Sequence, residues 1–176
     1  MTLTIIIVAC IIAVPYIVAL FQKNEYAISR EIIINKLTPK VFDFIRYLKN
    51  MDLYNKWVMT DPNMKKIFTG TDGEEGFIYA WDSEIKQAGK GEQEIKKITG
   101  NEKIEIEVRF VKPFVGTSYI SMTTKDLPNN QTKVTSNFTG VKNYGMKVAH
   151  LVFNLEKVLG KDLQTTLDNL KNVLEK

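Results

Sequence analysis

Residues 103–112 read Lys103-Ile104-Glu105-Ile106-Glu107-Val108-Arg109-Phe110-Val111-Lys112, and this stretch decides the fold. Ile104, Ile106, Val108 and Phe110 fall on one side of a two-residue period, while Glu105, Glu107 and Arg109 fall on the other. The segment is therefore a strand with one dry face and one wet face. The same grammar repeats in both directions. Towards the N-terminus, strands are predicted at 64–69, 76–81 and 89–98, separated by Gly70-Thr71-Asp72-Gly73 and a loop through Ser83. Towards the C-terminus, strands at 116–125 and 131–141 are joined by the turn segment Leu127-Pro128-Asn129-Asn130. Regular spacing with short turns predicts an antiparallel meander.

The flanks change period. Residues 26–36 are rich in β-branched side chains and read as a first strand. Thr38-Pro39 then predicts an N-cap and first helical residue, followed by Val41, Phe42, Ile45 and Leu48 at helical spacing. A short helix or turn over 50–59 carries Leu53 and Trp57 and ends at Asp61-Pro62. Beyond the meander, Val148, Leu151, Leu155, Leu159, Leu163, Leu167, Leu170 and Leu174 mark one apolar stripe. One long helix is predicted there, bent where Gly160 lies off the stripe, and it needs a hydrophobic partner such as the concave face of the sheet. The class is α+β, in the order β-α-α-β6-α.

The first 22 residues contain no charged side chain, and Leu3–Phe21 is almost wholly apolar. Nineteen helical residues reach roughly 28 Å, near the hydrocarbon thickness of a bilayer. The expectation is one transmembrane anchor, residues 1–22, followed by one soluble domain, residues 23–176. A cleaved signal peptide would have a basic start and a shorter apolar run. A lipoprotein signal at Cys10 comes too early, and a buried globular helix would carry a polar stripe. Lys23, Arg30 and Lys36 follow the span, so the positive-inside tendency places the domain in the cytoplasm.

Net charge is +4, with Lys and Glu interleaved rather than gathered into a basic stripe, so nucleic acid is not an expected partner. The single cysteine, Cys10, allows no internal disulfide and no cysteine metal site. His150 is the only histidine, and its neighbours offer no metal-ligand spacing. No Gly-x-Ser-x-Gly, paired-His or phosphate-loop motif occurs. Gly89-Lys90-Gly91 sits between strands and is read as permitting sheet curvature. No residue is assigned as catalytic, and neither a cofactor nor a metal is expected.

The order of elements, together with Gly76-Phe77-Ile78-Tyr79-Ala80-Trp81, Gly89-Lys90-Gly91, Val111-Lys112-Pro113-Phe114 and Thr132-Lys133-Val134-Thr135, resembles the SRPBCC superfamily, also called START-like or Bet v 1-like. Within it the chain looks like the bacterial polyketide cyclase/dehydrase-type proteins with an N-terminal membrane anchor. Many of those have Trp where this chain has Ser136. The resemblance implies a helix-grip fold, in which a bent sheet wraps the last helix and leaves room for an apolar ligand. Candidate cavity residues are Tyr79, Trp81, Phe110, Tyr119 and Phe138 from the strands, and Trp57, Met146, His150 and Phe153 from the helices. The expected partner is a hydrophobic small molecule or lipid. The alternatives are a cyclase/dehydrase-like enzyme, using groups such as Tyr79, Tyr119 or His150, and a non-catalytic interaction or stress protein.

Overall fold

The computed structural model describes the backbone of residues 2–153 and 155–176, and the side chains of residues 4, 13–148, 151 and 156–176. Helix α1 (Thr2–Phe21) leads into β1 (Glu25–Ile34), α2 (Thr38–Arg46) and the one-turn α3 (Met51–Tyr54). Strands β2 (Lys65–Thr69), β3 (Ile78–Asp82), β4 (Lys90–Thr99), β5 (Lys103–Lys112), β6 (Gly116–Leu127) and β7 (Gln131–Val141) follow, then α4 (Tyr144–Phe153) and α5 (Leu155–Glu175). All pairs are antiparallel in one seven-stranded sheet of order β1-β7-β6-β5-β4-β3-β2. The predicted meander is present, and β1 closes it by pairing with β7.

Alternation builds the concave face. Tyr26, Ile28 and Ile34 of β1, Ile104, Ile106 and Val108 of β5, and Val134 and Phe138 of β7 are buried on it. Against one end of this face, α2 and α3 drive Val41, Phe42, Ile45, Leu48, Met51 and Tyr54 into Phe77, Tyr79, Ile95, Ile104, Leu167 and Leu170. A second, smaller cluster at the other end contains Tyr26, Ile28, Phe138 and Leu163. Both clusters are built from residues 26–174.

Two local expectations need correction. Thr38 is the first helical residue rather than the cap, which is Leu37; its hydroxyl donates to the Asp126 carboxylate and lies 3.0 Å from Thr132 Oγ1. The helix expected over 50–59 is a single turn flanked by 3₁₀ turns, because the Asn55 carboxamide oxygen accepts from the Trp57 and Val58 N–H groups and holds the chain out of helix. The predicted C-terminal helix is present on both sides of Asn154, which lies outside the described residues, as α4 and α5. Gly160 sits buried inside α5, where a Cβ would meet the end of the Arg30 side chain.

The apolar N-terminal stretch is helical over Thr2–Phe21, although side chains 5–12, Cys10 included, lie outside the described residues. Among the described residues no helix is long and apolar enough to cross a membrane. Helix α1 packs on α4, with Tyr144 Oη donating to the Tyr16 carbonyl at 2.9 Å.

Candidate functional site

The end of the concave face that α2 and α3 leave uncovered holds a cavity of about 640 Å³. Trp57, Trp81, Val108, Phe110, Ile120, Phe138 and Met146 form most of its apolar wall. Its exposed members, Lys86, Lys112, Phe114, Val141 and Val158, mark the mouth. Two glycines let groups of the wall pack close against the strands. At Gly91, beside a register shift in the β4–β5 ladder, a Cβ would meet the Arg109 carbonyl at 2.6 Å and the Trp81 ring at 2.8 Å. At Gly140 a Cβ would meet Tyr26 Oη at 2.7 Å and Ser118 Oγ at 2.9 Å. Gly91 thus sits at an irregularity of the ladder and seats an aromatic wall.

Polar groups on the wall are few. Tyr26 Oη and Ser118 Oγ lie 3.1 Å apart, and burial raises the Tyr26 pKa although the Ser118 contact opposes it. Trp81 donates its indole N–H to the Ala88 carbonyl at 2.9 Å, which fixes the ring. Lys56 Nζ lies 3.4 Å from Asp162 Oδ1. Gln93, on the concave face of β4, is buried.

The structure brings together Trp57, Trp81, Phe110, Phe138 and Met146 among the sequence-derived candidates. Tyr79 is buried but belongs to the packed end: its ring meets Phe68 edge-on at 5.1 Å, and its hydroxyl donates to Asp52 Oδ1 at 2.9 Å. Burial, with Asp52 adding to it, holds that hydroxyl well above the ordinary tyrosine range. Tyr119 is on the outer face, 51% exposed, because strand parity turns Ser118 and Ile120 inward instead. The side chains of His150 and Phe153 lie outside the described residues. Missed by the sequence reading were Tyr26, Gln93 and Ser118, whose inward parity was legible in β1, β4 and β6.

Chemically this is a greasy container. Of the three groups considered as acid or base, Tyr79 and Tyr119 occupy opposite faces of the sheet and line no common void, and the His150 side chain lies outside the described residues. Among the described residues no group of three or more His, Cys, Asp or Glu side chains could hold a metal. The outer-face charges are engaged with each other: Arg109 holds Glu92 at 2.7 Å, Glu94 at 2.9 Å, and Glu107.

Solved structures share this architecture. A protein of unknown function from Staphylococcus aureus superposes with a TM-score of 0.65 at 11% identity, over 88% of this chain and 96% of that one. Ara h 8.0201 does so at 0.60 and 12% identity, over 85% and 97%. The fold is the helix-grip, Bet v 1-like fold. The di-domain ARO/CYC protein BexL from the BE-7585A biosynthetic pathway has it too, with a TM-score of 0.62 and 15% identity over 88% of this chain and 52% of BexL. No protein-family model matches the chain, and no curated protein matches it. At these identities the helix-grip likeness speaks for fold alone.

Proposed function

We propose that this chain is a membrane-tethered module that binds a hydrophobic small molecule or lipid between the helix-grip sheet and its C-terminal helices. The observation that carries the reading is the cavity itself. About 640 Å³ lined by aromatic and aliphatic side chains with few polar groups falls within the range of small-molecule sites, roughly 300–1,000 Å³. Purifying residues 23–176, extracting them with organic solvent and weighing the native protein tests it. A co-purifying apolar molecule is expected, and protein at the bare polypeptide mass that takes up no added lipid overturns the reading.

The tether rests on the uncharged apolar run through Phe21, helical over Thr2–Phe21. Its position suits the cavity. β1 begins opposite Val141, and β6 begins at Gly116 opposite Phe110, so α1 leaves the sheet at the end where the mouth opens. An anchored domain thus presents its mouth towards the bilayer, where apolar ligands partition, on the cytoplasmic side by the positive-inside tendency. Resistance of the full chain to alkaline extraction from membranes checks the anchor, and a reporter fused after Lys176 checks the side. Of the enzyme and partner-binding alternatives, neither has a specific geometric observation in its favour.

A further inference from the structure

Gln93 is a feature of the cavity wall that binding of plain hydrocarbon does not explain. Along β4, Gly91, Gln93 and Ile95 are buried while Glu92 and Glu94 face outward, so the carboxamide stands on the inner face. It is 6% exposed and lines the cavity. A carboxamide offers two N–H donors and an oxygen with two lone pairs. Here Nε2 donates to Met51 Sδ at 3.4 Å, a weak acceptor, and among the described residues Oε1 has no hydrogen-bond partner. The oxygen is open to the cavity rather than sealed, so a guest that strips water from it without replacing the hydrogen bond forfeits about 1–3 kcal/mol. The other inner polar pair needs no guest, because Tyr26 and Ser118 face each other at 3.1 Å. Charge is kept to the rim, with Lys86 and Lys112 exposed and Lys56 within 3.4 Å of Asp162.

We infer that Gln93 is the specificity residue of the cavity, and that the natural ligand is a lipophile with a neutral hydroxyl or carbonyl oxygen on the part that enters. The inference rests on the cavity-binding reading above and narrows its ligand class. Bare hydrocarbon leaves the carboxamide unsatisfied, and a buried ionic head finds no countercharge beside it. A hydroxyl fits best, since it accepts from the free N–H and donates to Oε1.

The test is a matched pair of probes, pyrene and 1-hydroxypyrene, titrated into residues 23–176 by energy transfer from tryptophan. Wild-type protein is expected to prefer 1-hydroxypyrene by roughly three- to tenfold, the equivalent of one net hydrogen bond. Gln93→Leu is expected to erase that preference, so that 1-hydroxypyrene binds no more tightly than pyrene, with no loss of melting temperature. Gln93→Met serves as a second variant should the branched side chain disturb packing. Equal affinities in the wild type, or a preference that survives both substitutions, overturn the role of Gln93 and leave the cavity reading standing. Failure to bind either probe overturns both.

Discussion

The two ends of the concave face are made from the same strands with the same alternation, yet one is solid and the other hollow. At the solid end, α2 and α3 bring a second layer of large apolar side chains, and Leu167 and Leu170 of α5 complete it with no exposure. At the hollow end the cover is α4 and the first turns of α5, while Gly91 and Gly140 admit the Trp81 ring and the Tyr26 hydroxyl beside the strands. The difference teaches that a strand pattern decides which side chains turn inward, whereas the helices laid over them decide whether inward means core or cavity.

The sharpest way to break this contrast is to truncate one apolar side chain to alanine at each end. Leu167→Ala should lower the unfolding free energy by about 3 kcal/mol, because a fully buried leucine leaves a void that the neighbours cannot fill. Phe110→Ala at the hollow end should lower it by less than about 2 kcal/mol, since part of that ring already faces empty space, and should weaken probe binding instead. Denaturant unfolding of both variants gives the comparison; equal losses would mean the two ends are equally packed.

Filling the hollow is the next largest effect. Gly140→Val drives a side chain into Tyr26 Oη and Ser118 Oγ and should destabilise by about 1–3 kcal/mol while abolishing 1-hydroxypyrene uptake. Adding Tyr26→Phe removes one colliding atom and should recover part of the stability, measurable as a non-additive double-mutant cycle. A smaller signal comes free of mutation. Both tryptophans of the chain, Trp57 and Trp81, line the cavity, so loading it with an apolar ligand should shift their emission to the blue. Emission that ignores ligand would place the guest elsewhere.

The smallest effect concerns the outer face. Lys96 and then Arg109 hold the Glu94 carboxyl below its ordinary value of 4.5. A carboxylate depressed in the folded state stabilises above its unfolded pKa and loses that contribution as pH falls through the folded value. Arg109→Met should therefore flatten the acid side of the stability profile below about pH 4.5, by less than about 1 kcal/mol for so exposed a network. Thermal melts from pH 3 to 7 would show it, and an unchanged acid limb would remove Glu94 from the account.

Much of this architecture is legible in residues 23–176, because seven strands with clean alternation and punctuating glycines leave little freedom. The failures are instructive. Tyr119 was read inward for its size, although its neighbours Ser118 and Ile120 carry the buried parity. Tyr79 was read correctly as inward, but nothing along β3 says how far α2 and α3 reach. Gln93 hid among Glu92 and Glu94 as one more polar residue, although Gly91 and Ile95 share its parity. Gly160 stands off the apolar stripe, and a sequence does not show that Arg30 lies across the interface from it.

Methyl NMR of residues 23–176 during titration with 1-hydroxypyrene tests the central claim most directly, since one spectrum reads both ends of the sheet. Shifts are predicted at Met64, Val108, Ile120, Met146 and Val158, with Ile45, Ile104, Leu167 and Leu170 unmoved. Shifts centred on the second group, or none at saturating probe, would contradict a hollow end built to hold a guest.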